Sequence, residues 1–150
     1  MELFRGSSVI VDQPKIITDS FYKDFGYGFY CTNFEKQAKR WALTKKHGHV
    51  VNVYSYTKDD SLNTLVFNEM TDEWLDFVVD CRRGKTHNYD CVEGPMADDT
   101  IWNYVDDFVR GLITREAFWE LVKFKYPTHQ IVFCTEESLK QLCFERSYSL

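Results

Sequence analysis

The chain has 150 residues, about the size of one ordinary domain, and a net charge of −5 at pH 7. Hydrophobic residues make up 44% of it and aromatic residues 17%, which predicts a packed core and excludes a disordered chain. The acidic balance argues against general coating of nucleic acid, although Lys and Arg cluster at 36–46 and 82–85. Both clusters are typical of solvated faces, and a local basic patch stays open.

The first half of the chain predicts short strands around one helix. Strands and extended segments are expected at Glu2–Arg5, Val9–Val11, Ile16–Ile17, Phe29–Thr32 and His49–Tyr56. Gly26 and Gly28 indicate a loop from Lys23, because glycine adopts backbone angles that other residues resist. Asn33 is expected to cap a helix from Phe34 to about Lys45, with Phe34, Ala38, Trp41 and Ala42 on one face.

The second half predicts more helix. Helices are expected from Thr71, from about Thr100 to Val109 behind an Ala97–Asp99 cap, and after the capping residue Thr114. Strands are expected at Tyr89–Val92, at Gln130–Cys134 and near Cys143 and Phe144, with a helix or turn at Glu136–Leu142. Helices and strands do not alternate strictly. The pattern therefore predicts one α+β domain over residues 1–150 with a mixed or antiparallel split sheet.

The cysteines favour a reducing compartment. Their number, five, is odd and no pair has CxxC spacing, so neither a disulfide framework nor a zinc site is expected. His47 and His49 flank Gly48 among lysines, which favours a loop over a metal-binding pair. The opening segment Met1–Ser8 is short and polar, and no apolar run approaches the roughly 20 residues of a membrane span. We expect a cytoplasmic protein with no metal and no membrane partner.

Three stretches of the chain resemble a known family. They are Leu3–Ser7, Asp24–Thr32 with the helix after it, and Tyr89–Gly94 with Ala97–Asp99, followed by Gln130–Phe133 and Leu142–Phe144. The chain resembles the bacterial family catalogued as domain of unknown function 3990, a relative of the ADP-ribosyltransferases. The resemblance implies an ADP-ribosyltransferase-like fold, in which a split mixed sheet with flanking helices holds NAD, as co-substrate, in a cleft between the two sheets.

The opening strand is the first site that the resemblance implies. Arg5 matches the Arg of the Arg-first class, where a guanidinium holds a phosphate or ribose oxygen by forked hydrogen bonds and takes part in catalysis. Gly6 would let the backbone approach the nicotinamide amide. Ser7 belongs to the same stretch and is expected to bind the cofactor with them.

The twin-glycine segment is the second site. Gly28, Phe29 and Tyr30 resemble the end of the GxGxY segment of the poly(ADP-ribose) polymerase-like branch, and Asp24 lies just before it; all four are expected to bind NAD. Trp41 falls where that branch places a Tyr that stacks on nicotinamide, and an indole can replace it. Trp41 equally fits the buried stripe of its helix, and Tyr30 fits either the pocket or the core.

The late strand is the third site, where Gln130 stands in place of the catalytic Glu of active polymerases. An amide can orient NAD but offers no negative charge to an oxocarbenium ion, and one lost electrostatic contact typically costs about 10²–10³ in rate. Either the chemistry is slower, another acid serves, or the domain only binds nucleotide. Asp98 and Asp99 are the favoured acids over Glu93 and Asp24, and their alternative role is to cap the next helix.

These residues lead to three hypotheses of function. The first is a mono-ADP-ribosyltransferase that cleaves NAD and modifies a macromolecular acceptor, either a protein or a nucleobase. The resemblance suggests a bacterial toxin of a toxin–antitoxin or phage-defence system, with an antitoxin protein as partner. The second is a catalytically silent module that binds NAD or ADP-ribose. The third is an interaction protein whose cleft is vestigial. Walker A, HExxH and GxSxG motifs are absent from the sequence, and the glycines precede a strand, which argues against a Rossmann fold.

Overall fold

The computed structural model describes residues 1–18, 23–97, 99–123 and 127–150. Within these ranges the chain forms seven strands and five helices. In order they are β1 (Glu2–Ser7), β2 (Phe29–Cys31), α1 (Glu35–Leu43), β3 (Val50–Tyr56), β4 (Thr64–Val66), α2 (Asp72–Arg82), β5 (Cys91–Gly94), α3 (Asp99–Val109), α4 (Arg115–Val122), β6 (Gln130–Phe133), α5 (Glu136–Leu139) and β7 (Leu142–Ser149).

The strands form two sheets that meet at β1 and β2. The three-stranded sheet has the order β1-β3-β7 and is antiparallel, while the four-stranded sheet has the order β2-β6-β5-β4 with β4 parallel to β5. Phe4 and Thr32 join the sheets through two backbone hydrogen bonds of 2.8 and 2.9 Å. The α+β class and the mixed, divided sheet are thus confirmed.

Helix α1 packs directly on strand β1 because residue 6 is a glycine. A Cβ at Gly6 would lie 2.1 Å from the Ala38 carbonyl oxygen and 2.4 Å from the Ala42 amide nitrogen. Ala38 and Ala42 are themselves fully buried, so the contact is one backbone against another. The need for glycine at this position therefore comes from helix packing, whereas the sequence interpretation assigned it to the approach of a ligand.

Two apolar clusters form most of the core. One covers the face of the four-stranded sheet with helices α2, α3 and α4, and it includes Trp74, Leu75, Val78, Ile101, Val105 and Phe118. The other lies where the sheets meet and includes Leu3, Phe29, Tyr54, Ile131 and Phe133. The junction between the two sheets is thus filled by side chains on its core side, and the cavity described below lies on the side that faces α1.

Several local predictions are confirmed and others are wrong. Thr71 and Thr114 cap α2 and α4, because their side chains accept from the amides of Trp74 and Ala117. Asn33 does not cap α1. The N-cap residue is Phe34, without a side-chain cap, and the Asn33 amide instead donates to His129 Nδ1 at 3.0 Å.

The other differences concern extent and burial. Phe34 is 41% exposed and so does not belong to the buried stripe of α1, which ends at Leu43 rather than Lys45. The expected helix cap at Asp98 lies outside the described residues, and so does the side chain of Asp99. Strand β4 was not predicted, and β7 continues to Ser149, well beyond Cys143 and Phe144.

The thiols are reduced, and three of them are chemically quiet. All five cysteines are free, and burial raises the pKa of Cys31, Cys81 and Cys134 to about 12. In the described ranges no group of three His, Cys, Asp or Glu side chains could hold a metal ion. No helix within those ranges combines the length and apolar character that crossing a membrane requires.

Candidate functional site

A cavity of about 500 Å³ opens where the two sheets meet. Ligand pockets of small molecules and cofactors commonly have this size. Strand β1 contributes to it from one sheet, β2 and β6 contribute from the other, and α1 closes one side. The described residues lining this inter-sheet cavity are Arg5, Gly6, Lys23, Asp24, Tyr30, Trp41, Thr44, Lys45, Met96, Ala97, Trp102 and Gln130.

Arg5 reaches this cavity as a cation without an acidic partner among the described residues. Its Nη1 donates to the Tyr30 carbonyl oxygen at 2.9 Å, its Cζ lies 4.4 Å from the centre of the Phe29 ring, and its buried Nε has no hydrogen-bond partner within the described ranges. No carboxylate of the described chain forms an ion pair with it. Burial lowers the pKa of Arg5, although a guanidinium stays charged at neutral pH. An anion bound here would offset an uncompensated charge.

Asp24 is the centre of a buried polar network. One carboxylate oxygen accepts from Arg82 Nε at 3.1 Å and from Nη2 at 2.5 Å. The other accepts from the Ala97 amide at 2.8 Å and from Gln130 Nε2 at 3.0 Å. Asp24 is 6% exposed, so its charge is balanced by Arg82 and its hydrogen bonds are supplied by the protein.

This network fixes the orientation of Gln130. Its Nε2 donates to Asp24 Oδ2 and to the Pro95 carbonyl oxygen at 3.2 Å, which uses both amide hydrogens. Both partners are acceptors, so the amide cannot be turned round without losing both bonds. The Oε1 atom is therefore the part of Gln130 that is left to accept a hydrogen bond from a ligand hydroxyl in the cavity.

Three aromatic side chains form walls of the cavity. The Tyr30 hydroxyl donates to the Gly26 carbonyl oxygen at 2.6 Å and accepts from the Phe25 amide, so it holds the glycine loop. Burial raises the pKa of Tyr30 well above its usual value, which keeps the hydroxyl protonated. Tyr30 thus packs in the core and also lines the cavity. Trp41 is half-buried, and its indole also borders a second groove.

The third aromatic, Trp102, was missed from the sequence together with Arg82. The Arg82 guanidinium lies 3.3 Å from the centre of the Trp102 ring, and the indole is 37% exposed. The basic group at 82–85 was interpreted as solvated, yet Arg82 is only 6% exposed. The error arises because Asp24, the ion-pair partner of Arg82, lies 58 residues away in sequence, so no local pattern indicates the pairing.

Three of the predicted cofactor-binding residues do not line the inter-sheet cavity. The Ser7 hydroxyl donates to the Val9 carbonyl oxygen and accepts from Asn52 Nδ2, which occupies it within the protein. Phe29 lies beneath Arg5 and packs in the core. Gly28 has a φ of +156° and borders a small recess of about 20 Å³ beside Arg5.

The candidate acids that could replace the catalytic Glu are Asp24, Glu93, Asp98 and Asp99. Glu93 does not line the cavity, and one of its carboxylate oxygens lies 2.9 Å from His129 Nε2. Asp98 and the side chain of Asp99 lie outside what the structure describes. Among the described lining residues Asp24 is therefore the single carboxylate, and it is paired with Arg82.

Fold and site define an α+β protein whose two sheets enclose a cavity with an uncompensated guanidinium, flat aromatic walls and an oriented amide. The family described as "Protein of unknown function (DUF3990)" matches residues 1–144, and the chain belongs to this family. The family predicted from the three sequence stretches is thus confirmed. No curated protein and no solved structure matches the chain.

Proposed function

We propose that the chain has an ADP-ribosyltransferase-like fold, binds NAD in the inter-sheet cavity and transfers ADP-ribose to a macromolecular acceptor. One observation carries the proposal: the buried edge of Arg5, which has no acid partner among the described residues, shares a cavity with Trp41 and with the oriented amide of Gln130. These are the three positions on which the sequence resemblance depends.

Each side chain then has a defined task. Arg5 pairs with a phosphate or ribose oxygen, Trp41 stacks on the nicotinamide ring, and Gln130 Oε1 accepts from a ribose hydroxyl. In the reaction the glycosidic bond breaks and its electron pair leaves with nicotinamide. The acceptor nucleophile forms the new bond to the anomeric carbon and loses its proton to solvent. Holding the ribose in place lowers the entropic part of the barrier, even without a carboxylate beside it.

A second candidate function rests on a specific observation about Asp24. It is the single carboxylate among the described lining residues, and two donors from Arg82 and two further donors, from Ala97 and Gln130, already occupy it. A site of this kind can bind NAD or ADP-ribose without stabilising an oxocarbenium ion. The alternative is therefore a binding module that does not turn over NAD.

Two measurements on one preparation separate these functions. The first is the melting temperature at millimolar NAD, since a ligand that binds the native state must stabilise it. The second is incubation with NAD labelled on the adenylate, followed by nicotinamide release and transfer of label to protein or RNA. Stabilisation with release supports the transferase; stabilisation without release supports the binding module. No stabilisation at all contradicts both.

The variant Arg5→Ala links these readouts to the site. It should abolish the NAD-induced melting shift, because it removes the cation at the cavity wall. Arg110→Ala is the matched control, since Arg110 is exposed and, among the described residues, forms its one ion pair with Asp106, four positions earlier. Equal NAD-induced shifts in the two variants would exclude Arg5 from the binding site.

The toxin setting that the resemblance suggests is part of the same proposal. Induced expression in a bacterial host should arrest growth, and Arg5→Ala should relieve the arrest at equal protein level. An antitoxin would be a protein that restores growth when it is co-expressed. Normal growth with the wild-type chain at high expression would contradict a toxin role and leave the NAD chemistry to be judged by the measurements above.

A further inference from the structure

A second concave surface adjoins the inter-sheet cavity. This groove, of about 750 Å³, runs along the outer face of α1 and is closed on its other side by Pro127 and Thr128. Trp41, Thr44 and Met96 line both spaces, so the cavity and the groove share one rim. The rim is fixed, because Thr128 Oγ1 accepts from the Met96 amide at 2.8 Å and donates to its carbonyl oxygen at 3.0 Å.

The groove is basic in a protein of net charge −5. Lys36 and Arg40 line it, both are exposed, and neither has an ion-pair partner in the described part of the chain. Lys45 adds an exposed cation on the cavity side of the rim. Glu35 is the single acid among the described groove residues, and Lys39 Nζ lies 3.7 Å from its carboxylate. The excess of positive charge in the groove therefore fits a polyanion better than a peptide that carries few acidic residues.

The groove also offers a flat surface and an unused acceptor. Phe34 is 41% exposed, a high value for a large aromatic side chain that lies over a groove. Asn33 lines the groove, and its Oδ1 is a buried acceptor without a hydrogen-bond partner in the described part of the chain. Cations interspersed with an exposed aromatic are the features by which proteins bind single-stranded nucleic acids, through the phosphates and through base stacking.

We propose that this basic groove, formed by Asn33, Phe34, Lys36 and Arg40, binds a single-stranded nucleic acid as the acceptor of ADP-ribose. This inference rests on the proposed function for the reaction, though not for the binding. A base or sugar of the strand that crosses the rim at Trp41 reaches the cavity. There a nitrogen or oxygen of the strand bonds to the anomeric carbon as nicotinamide leaves with the electron pair, and the displaced proton passes to solvent.

Binding is tested without NAD by fluorescence anisotropy of labelled, mixed-sequence 12-residue RNA and DNA single strands. Lys36→Glu/Arg40→Glu should weaken binding at least tenfold. It should also lower the slope of log K against log salt by about 1.4, because two phosphate contacts are lost at about 0.7 each. Phe34→Ala should weaken binding about fivefold or more, the smallest effect usual for a stacked base. The RNA and DNA arms show which sugar is preferred.

The matched control is Lys58→Glu/Lys140→Glu, which changes the net charge equally but lies in a separate polar depression. It should bind the strands with an affinity within about twofold of the wild type, because it differs only in net charge and keeps the groove intact. Equal losses in the two double variants, or equal affinity for duplex and single strand, would overturn the proposal. Preferential binding of an acidic peptide over the strands would do so as well.

The outcome stays separable from the NAD proposal. Lys36→Glu/Arg40→Glu should retain the NAD-induced melting shift while losing transfer of label to RNA or DNA. Strand binding without any NAD effect would contradict the proposed function alone. An NAD effect without strand binding would contradict this inference alone.

Discussion

Replacing Gln130 with Glu tests whether Asp24 holds the amide in its observed orientation. The substitution puts an anionic oxygen where Nε2 now lies, 3.0 Å from Asp24 Oδ2 and 3.2 Å from the Pro95 carbonyl oxygen. Gln130 is 3% exposed, and Arg82 is the cation that already serves Asp24. Two carboxylates this close in a buried site do not both stay ionised, so the native variant takes up a proton.

The cost of that proton sets the expected magnitude. Keeping an ordinary Glu, with a pKa of about 4.3, protonated at pH 7 costs about 3.7 kcal/mol, since each unit is worth about 1.36 kcal/mol. At pH 5 the same step costs about 1 kcal/mol. The native variant binds more protons than its unfolded chain over this range, so its stability relative to wild type falls as the pH rises. We expect a loss of about 3–4 kcal/mol at pH 7 and about 1 kcal/mol at pH 5.

Urea unfolding at the two pH values, followed by tryptophan fluorescence, measures both losses. Gln130→Met is the control, because it removes the same hydrogen bonds without adding a charge, and its penalty should not depend on pH. The double variant Asp24→Asn/Gln130→Glu returns one carboxylate and one amide, so most of the pH dependence should disappear. A Gln130→Glu protein with the same stability loss at both pH values would refute the contact with Asp24. The double variant also tests whether a carboxylate at position 130 supports the proposed cleavage of NAD.

Three further predictions concern stability. Gly6→Ala should destabilise the fold by about 3 kcal/mol or more in urea unfolding, because its Cβ meets the α1 backbone; a loss below 1 kcal/mol would contradict that contact. Thr71→Ala should cost about 1 kcal/mol through loss of the cap on α2, and an unchanged midpoint would argue against it. Burial raises the pKa of Cys31 from 9.0 to about 12, so the native state keeps a proton that the unfolded chain loses above pH 9. Stability should therefore fall with rising pH, by about 1.4 kcal/mol at pH 10 from this thiol, and Cys31→Ala should show a shallower decline between pH 8 and pH 10.

Local signals predicted the elements that are built from local interactions. Thr114 was predicted as a cap and Thr71 as the start of a helix, and both are caps, because a hydroxyl and an amide three residues later suffice to form the motif. Strand β4 has only three residues and depends on parallel pairing with β5, so nothing in its own sequence marks it. At Asn33 the local signal was misleading: the residue has good capping chemistry, but its backbone amide donates to His129, 96 positions away.

The candidate site also contains residues that the sequence predicted and residues that it did not. Arg5, Trp41 and Gln130 came from the sequence resemblance, and all three line the cavity. Arg82 and Trp102 could not be found, because their placement depends on an ion pair with Asp24 across 58 residues and on a ring stacked on the same guanidinium. Asp24 was predicted as a contact for NAD. The structure gives it four protein donors, which makes it a residue that positions Gln130.

The two glycines that mark the resemblance explain why the site exists at all. Gly6 lets α1 settle on β1, which places Trp41 beside Arg5. Gly28 lets β2 approach β6, since a Cβ there would lie 2.5 Å from the Phe133 carbonyl oxygen, and this approach places Tyr30 beside Gln130. The glycines therefore specify the cavity through packing, whichever ligand fills it. The two proposed functions, a transferase and a binding module, differ in whether a charge reaches the anomeric carbon of the ligand. That question turns on Gln130 and its neighbours, where Asp24→Asn/Gln130→Glu changes the chemistry while keeping the packing.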